Sequence, residues 1–156
     1  MDQKIVSQAV LAKVVKKLKA GNKKVVFTNG CFDILHVGHV DYLRKARRSG
    51  NVLIVALNSD ASVRAIKGSS RPINKQADRA KVLAALYFVD YVTIFGDPTP
   101  EKLIKILKPD ILVKGGDWKI KDIVGGDFVK SYGGKVLRIP FVSGYSTTSV
   151  INKMGS

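Results

Sequence analysis

Short, unbroken apolar runs recur along the chain, each separated from the next by a segment in which apolar residues return every three or four positions. The runs are KVVFTN (24–29), NVLIVALN (51–58), YVTIF (91–95), DILVKG (110–115) and KVLRIP (135–140). A strand with one wet face alternates polar and apolar residues. A continuous apolar run is buried on both faces, which is the condition of a parallel sheet covered by helices. Helices are expected over 39–50, from Asp60 through Ile66, over 74–86 with Ala80, Leu83 and Ala84 inward, from Pro98 and Pro100 through Leu107, over 121–133, and from about Ser146–Thr147. The alternation predicts an α/β fold, a Rossmann-like open parallel five-stranded sheet with helices on both faces.

Ahead of the first strand, Val6, Val10, Leu11, Val14, Val15 and Leu18 are spaced as one helical stripe. Lysines gather in its last turns, where they suit the negative end of a helix, and Gly21 can stop it. Residues 1–22 are read as a helix packing on a domain that runs over 23–156. Lys plus Arg number 27 against 12 acids, a formal charge of +15. Such a chain attracts polyanions, but the excess is scattered, as on a solvated surface, and does not by itself define a nucleic-acid binder. No specific nucleic acid is expected. The single cysteine excludes an internal disulfide, and no C-x-x-C pair offers a zinc site. The longest apolar run is too short to span a bilayer. These features predict a reduced, cytoplasmic protein that does not insert in a membrane.

In open parallel sheets, ligands bind at the carboxyl ends of the strands. The residues to inspect are therefore 29–33, 58–60, 96–97, 114–118 and 141–148. The first set opens NGCFDILHVGHVDYL, which holds Cys31 and both histidines, His36 and His39. A strand ends at Thr28 or Asn29, Gly30 permits a tight turn, and Gly38 lets a ligand approach the backbone closely. Amides of the turn and of the helix start make an anion site, and two imidazoles beside it can donate to a phosphoryl oxygen. Two other readings stand beside this one: the histidines cap the helix, or they share a metal ion with Asp33 as a third ligand. Neither G-x-x-x-x-G-K-[ST] nor G-x-G-x-x-G occurs, which argues against a P-loop enzyme or an ordinary dinucleotide dehydrogenase.

Together with LNSDASVRAIKG, RPINKQADRAKVLAAL, DILVKGGDW and SGYSTTSVI, this stretch resembles the cytidylyltransferase-like, H-x-G-H nucleotidyltransferases from Lys23 to Lys153. H-x-G-H alone points only to the superfamily. RPI, DRA, VKGGDW and GYSTT in that order resemble more narrowly the heptose 1-phosphate adenylyltransferase branch. Many of its members lie behind a sugar kinase. This chain has no room for one and resembles the stand-alone form. The resemblance implies adenylyl transfer from ATP, with Mg²⁺ bridging the phosphates, to a sugar 1-phosphate. It implies that His36 and His39 flank the α-phosphate, that the Cys31–Phe32 backbone holds it beside Asn29, Gly30 and Gly38, and that Lys67 reaches the triphosphate or the acceptor phosphate. Arg71 in the same loop is a further candidate for the acceptor. Arg79 reaches that loop or is a solvated helix residue.

Lys114 and Gly115 are expected at the nucleotide, with the Gly115–Gly116 backbone meeting an adenine edge. Asp117 and Trp118 contact nucleotide or sugar, or Trp118 covers the core. Tyr145, Ser146, Thr147 and Thr148 form a second helix start suited to the outer phosphates, where one hydroxyl would suffice as a cap. Asp60 either caps its helix or binds ligand, and Asp33 holds a sugar hydroxyl or metal, or orders the turn. One departure stands out. Several cytidylyltransferases of the superfamily carry Arg-Thr-Glu before this segment, where this chain has Phe141, Val142 and Ser143. That argues against the glycerol-phosphate cytidylyltransferase branch, which is kept as the alternative together with a basic nucleic-acid-binding module. Relatives imply a homodimer.

Overall fold

The computed structural model describes residues 2–116 and 118–155. Five strands form one sheet in the order β3-β2-β1-β4-β5, all parallel. They are β1 (Val25–Gly30), β2 (Val52–Asn58), β3 (Tyr91–Phe95), β4 (Ile111–Gly115) and β5 (Lys135–Ile139). The helices are α1 (Gln8–Ala20), α2 (Val37–Arg48), α3 (Asp60–Lys67), α4 (Gln76–Ala85), α5 (Glu101–Leu107), α6 (Gly126–Ser131) and α7 (Thr147–Met154). The fold is the expected Rossmann-like one, and all five expected strands are present.

Two apolar clusters, one on each side of the sheet, explain why the strands read as unbroken runs. Leu53, Val55 and Leu57 of β2 pack with Leu43 of α2 and Leu83 of α4. Ile54 and Ala56, pointing the other way, pack with Leu11 and Val15 of α1, Leu103 and Ile104 of α5, and Val129 of α6. Successive side chains of a strand alternate faces, so both phases of the run must be apolar.

The N-terminal segment is fastened in two ways. The Val6 amide donates to the Val92 carbonyl at 2.9 Å, beside a parallel bridge between Ile5 and Val92 at the β3 edge. Leu11 and Val15 are then buried in the second cluster. Val10 does not join them and is 47% exposed. It lies about 100° round the helix from Leu11, beyond the edge of the face that 11, 15 and 18 define.

Three helix expectations are corrected. α2 begins at Val37, with His36 as its cap, instead of near His39. Ser59, not Asp60, caps α3 by accepting from the Ser62 amide. The helix expected over 121–133 is shortened to α6, because Gly125 takes φ 81° and separates it from a 3-10 turn at Ile120–Asp122.

Candidate functional site

The chain reverses its direction of travel across the sheet at β1, whose neighbours are β2 and β4, and there the strands part. Pairing of β1 with β2 runs to Gly30, and of β4 with β5 to Gly115. Pairing of β1 with β4 covers Val26–Ile111 and Phe27–Leu112. Tyr42 of α2 fills the fork. Its hydroxyl lies 2.6 Å from Thr28 Oγ1 and donates to the Val113 carbonyl at 3.3 Å. Burial holds this phenol well above its ordinary range, so it remains a protonated donor. A crevice at such a switch point is where an α/β sheet binds its ligand.

Above the fork, β1 turns into α2. Phe32 adopts φ 43°, a left-handed conformation uncommon outside glycine. Its buried ring meets His39 edge-on at 5.1 Å between centroids. His36 and His39 are stacked, 3.8 Å apart with planes 24° from parallel. His36 Nδ1 accepts from the Gly38 amide at 3.1 Å, which places the proton of the neutral ring on Nε2. The capping reading of the pair is thus realised by His36 alone. An added Cβ at Gly38 would stand 2.9 Å from the His36 ring and 3.3 Å from Cβ of Tyr145, so only glycine lets these groups close over the helix start.

His39 Nδ1 is shut off from solvent and makes no hydrogen bond of good geometry, though the ring lies within reach of the Ile34 carbonyl. Burial, then the neighbouring His36 and Lys67, lower its pKa from the ordinary 6.5 to about 4, against the Ile34 carbonyl. Burial lowers that of His36 as well. The unfolded chain therefore binds these protons before the native state does. Stability is expected to fall as pH drops from 6.5 toward 4, by at most about 1.4 kcal/mol per pH unit per proton. Urea unfolding of wild type and His39→Gln across this range checks the sign. A wild-type slope that is absent, or that persists unchanged in the variant, contradicts it.

The loop after α3 is fastened to the same turn by two buried residues. Asp33 Oδ1 accepts from the amides of Ile73 and Asn74 at 2.9 and 3.0 Å, and Oδ2 from Arg71 Nε at 2.6 Å. Burial alone would raise this carboxyl, but the two amides and the guanidinium outweigh it and hold it below its ordinary value. Both oxygens are engaged within the protein, so Asp33 orders the turn and its loop, and it also lines a cavity at this end of the sheet. Arg79 is 2% exposed. It donates to the Cys31 carbonyl at 2.6 Å, to the Asn74 carbonyl at 2.9 Å and to Asp60 Oδ1 at 2.8 Å. The solvated reading of Arg79 is overturned, and Asp60 is its partner. Burial raises the Cys31 thiol despite Lys67, Arg79 and Arg71 nearby, so this residue offers its backbone and not a thiolate.

At the end of β4, Lys114 is drawn below its ordinary pKa by burial, and its ammonium lies 5.8 Å from the centre of the Trp118 ring. Trp118 is 52% exposed, which excludes a core role. Asp117 lies outside the described residues. At the start of α7, Ser146 and Ser149 form a reciprocal capping box. Thr147 Oγ1 donates to the Ile34 carbonyl at 3.4 Å, tying α7 to the turn before α2. Two of the four successive hydroxyls are therefore explained by the cap. Tyr145 stacks on His36 with ring centres 6.4 Å apart, and Thr148 is exposed.

Two cavities open at this end of the sheet. One, of about 210 Å³, is lined by Gly30, Cys31, Phe32, Asp33, His39, Tyr42, Lys67, Arg71, Lys114, Gly115, Trp118, Phe141 and Thr147. The other, of about 410 Å³, reaches Asn29, Asn58 and Pro98 and shares Gly30, Cys31, Lys67, Lys114 and Trp118 with the first. Of the expected residues, His36 and Gly38 stand at the start of α2 and Tyr145, Ser146 and Thr148 at the start of α7, outside the lining of both cavities, and Asp60 pairs with Arg79. Phe141 falls within the inspected segment 141–148, whereas Tyr42 is not among the expected residues. Tyr42 had a signal, because it follows His39 by three positions on one helix face.

A parallel sheet that forks at its switch point, with paired imidazoles at the following helix start and lysines at the fork, defines a nucleotidyltransferase-type site. The chain matches the cytidylyltransferase-like family over residues 27–153 and belongs to it. It is 55% identical to the bifunctional protein HldE of Geobacter metallireducens over 98% of its own length and 31% of that protein's. It is 58% identical to the bifunctional protein HldE of a Nitratiruptor species over 92% of its length and 30% of that protein's. The chain thus spans under a third of the curated relatives it matches. The crystal structure of the lipopolysaccharide core biosynthesis protein from Thermoplasma volcanium has a TM-score of 0.64 at 26% identity, covering 80% of this chain and 99% of that one. Pantoate-beta-alanine ligase from Francisella tularensis shares the fold, with a TM-score of 0.64 at 19% identity over 96% of this chain and 77% of that one. No helix among the described residues is long and apolar enough to cross a membrane.

Proposed function

We propose that the chain transfers the adenylyl group of ATP to D-glycero-β-D-manno-heptose 1-phosphate, giving ADP-heptose and pyrophosphate for lipopolysaccharide core synthesis. The observation that carries this reading is the set of donors lining the smaller cavity: His39, Lys67, Arg71 and Lys114 stand around the Gly30–Cys31 turn. Such a constellation of imidazole, ammonium and guanidinium groups suits phosphoryl oxygens. ATP, as its Mg²⁺ complex, occupies this cavity, and the acceptor occupies the larger one. Their reacting phosphates meet at the shared Gly30–Cys31 turn between Lys67 and Lys114.

An oxygen of the acceptor phosphate forms a bond to the α-phosphorus of ATP. The bond to the bridging oxygen of the β-phosphate breaks, and its electron pair leaves with pyrophosphate. The attacking oxygen is already anionic, so no base is needed. Catalysis consists of positioning and of stabilising charge on the α-phosphoryl oxygens. Neutral imidazoles suit this task, because they donate hydrogen bonds without gaining or losing a proton. The likeness to bifunctional proteins HldE and to a lipopolysaccharide core biosynthesis protein supports the sugar acceptor.

Pyrophosphate release measured over a grid of ATP and CTP against heptose 1-phosphate and glycerol 3-phosphate tests the reading. Turnover is expected with ATP and heptose 1-phosphate. Turnover confined to CTP with the polyol phosphate replaces it with the cytidylyltransferase alternative.

A further inference from the structure

The segment between β5 and α7 carries an aromatic ring into the smaller cavity at the place where some cytidylyltransferases carry arginine. Phe141 covers the Gly115–Gly116 step so closely that a Cβ added at either glycine would lie 2.6 or 2.5 Å from its ring. The Tyr42 ring meets it at 62°, 6.2 Å between centres. With one side supported in this way, Phe141 is still 54% exposed. Trp118 and Tyr145, at the same end of the sheet, are 52% and 49% exposed. Of these, Phe141 and Trp118 line the lysine-bearing cavity, and half-exposed aromatic surface there suits a planar, uncharged group.

We propose that Phe141 is a specificity-determining residue of this site, its open face stacking on the nucleobase and favouring a purine over the smaller pyrimidine. The proposal rests on the nucleotidyltransferase reading above and adds to it the residue that selects the base. Gly115 and Gly116 follow from it: side chains there would push the ring off its backbone support and into the space of the base. An arginine at 141 would bring a charge toward the phosphates; the phenyl ring offers only a surface for stacking. Stacking of a base on an aromatic side chain is sequence-tolerant but grows with the area of overlap, so the larger purine gains more.

The test is calorimetric binding of ATP and CTP to the full chain, for wild type and for Phe141→Ala, Phe141→Leu and Phe141→Tyr. Truncation is expected to raise the Kd for ATP about tenfold and that for CTP by less, so that the preference for ATP narrows. Leucine restores volume without a π face and should behave like alanine, whereas tyrosine should stay within about twofold of wild type for ATP. Wild type that binds ATP while Phe141→Ala binds it equally or more tightly overturns the stacking role alone. A drop of equal size for both nucleotides overturns the selection of purine. Wild type that binds neither nucleotide overturns the functional reading and the inference with it. Thermal unfolding of each variant, expected near wild type for a half-exposed position, separates lost binding from lost folding.

Discussion

Replacing His39 by alanine is expected to lower kcat for adenylyl transfer by about 10²–10³-fold, the usual cost of removing one preorganised donor from a developing oxyanion. The fold should survive. His39 lies in the first turn of α2, where alanine is a good helix former. Its ring gives up at most a weak contact to the Ile34 carbonyl. His36 provides the contrast. Its Nδ1 accepts from the Gly38 amide and caps α2, so His36→Ala should lose activity and also about 1 kcal/mol of stability. Measuring kcat at saturating ATP and acceptor beside urea unfolding separates the two roles. His39→Ala with kcat near wild type removes the central assignment of the site. His36→Ala with undiminished stability removes the cap.

What could be read from the residues alone depended on whether a contact was local. The strands were legible because burial on both faces leaves no polar phase in the sequence, as in Val52–Asn58, where every residue is buried. H-x-G-H was legible because its members lie within one turn and meet without help from the rest of the chain. The helix over 121–133 was overextended, since apolar spacing does not reveal that Gly125 takes a left-handed conformation. Asp60 and Ser59 are both good caps by composition, and the choice fell to Ser59 because Arg79 claims the Asp60 carboxylate. Arg79 was the least legible. It is one of 27 basic residues, and its bond to Cys31 spans 48 positions. No periodicity marks such a residue. Only the folded chain shows that this arginine is inside while its neighbours Lys75 and Lys81 are exposed.

Loss of Arg79 should therefore have the largest effect on stability of any single charge removed. Its side chain is 1% exposed, and its bonds join α3 through Asp60, the phosphate-site turn through Cys31 and the loop after α3 through Asn74. Arg79→Ala leaves the Asp60 carboxylate partly buried without its partner, together with two carbonyls. Breaking a buried pair from one side typically costs about 3–5 kcal/mol. Arg79→Lys keeps the charge, but an ammonium cannot present the planar fork that serves three acceptors at once, so part of the loss remains. Removing Asp60 as well tests the pairing directly. Once Arg79 is absent, Asp60→Ala should cost clearly less than it does in wild type, because the two residues share one interaction. Urea unfolding of the four proteins of that cycle measures the coupling. If Asp60→Ala costs the same in both backgrounds, the ion pair is not what holds α3 to this turn. The same cycle run on kcat carries the argument to the site. With the Cys31 carbonyl released, the turn that carries His36 and His39 loses its fixed distance from Lys67. Turnover should then fall in Arg79→Ala even at temperatures where that variant is fully folded.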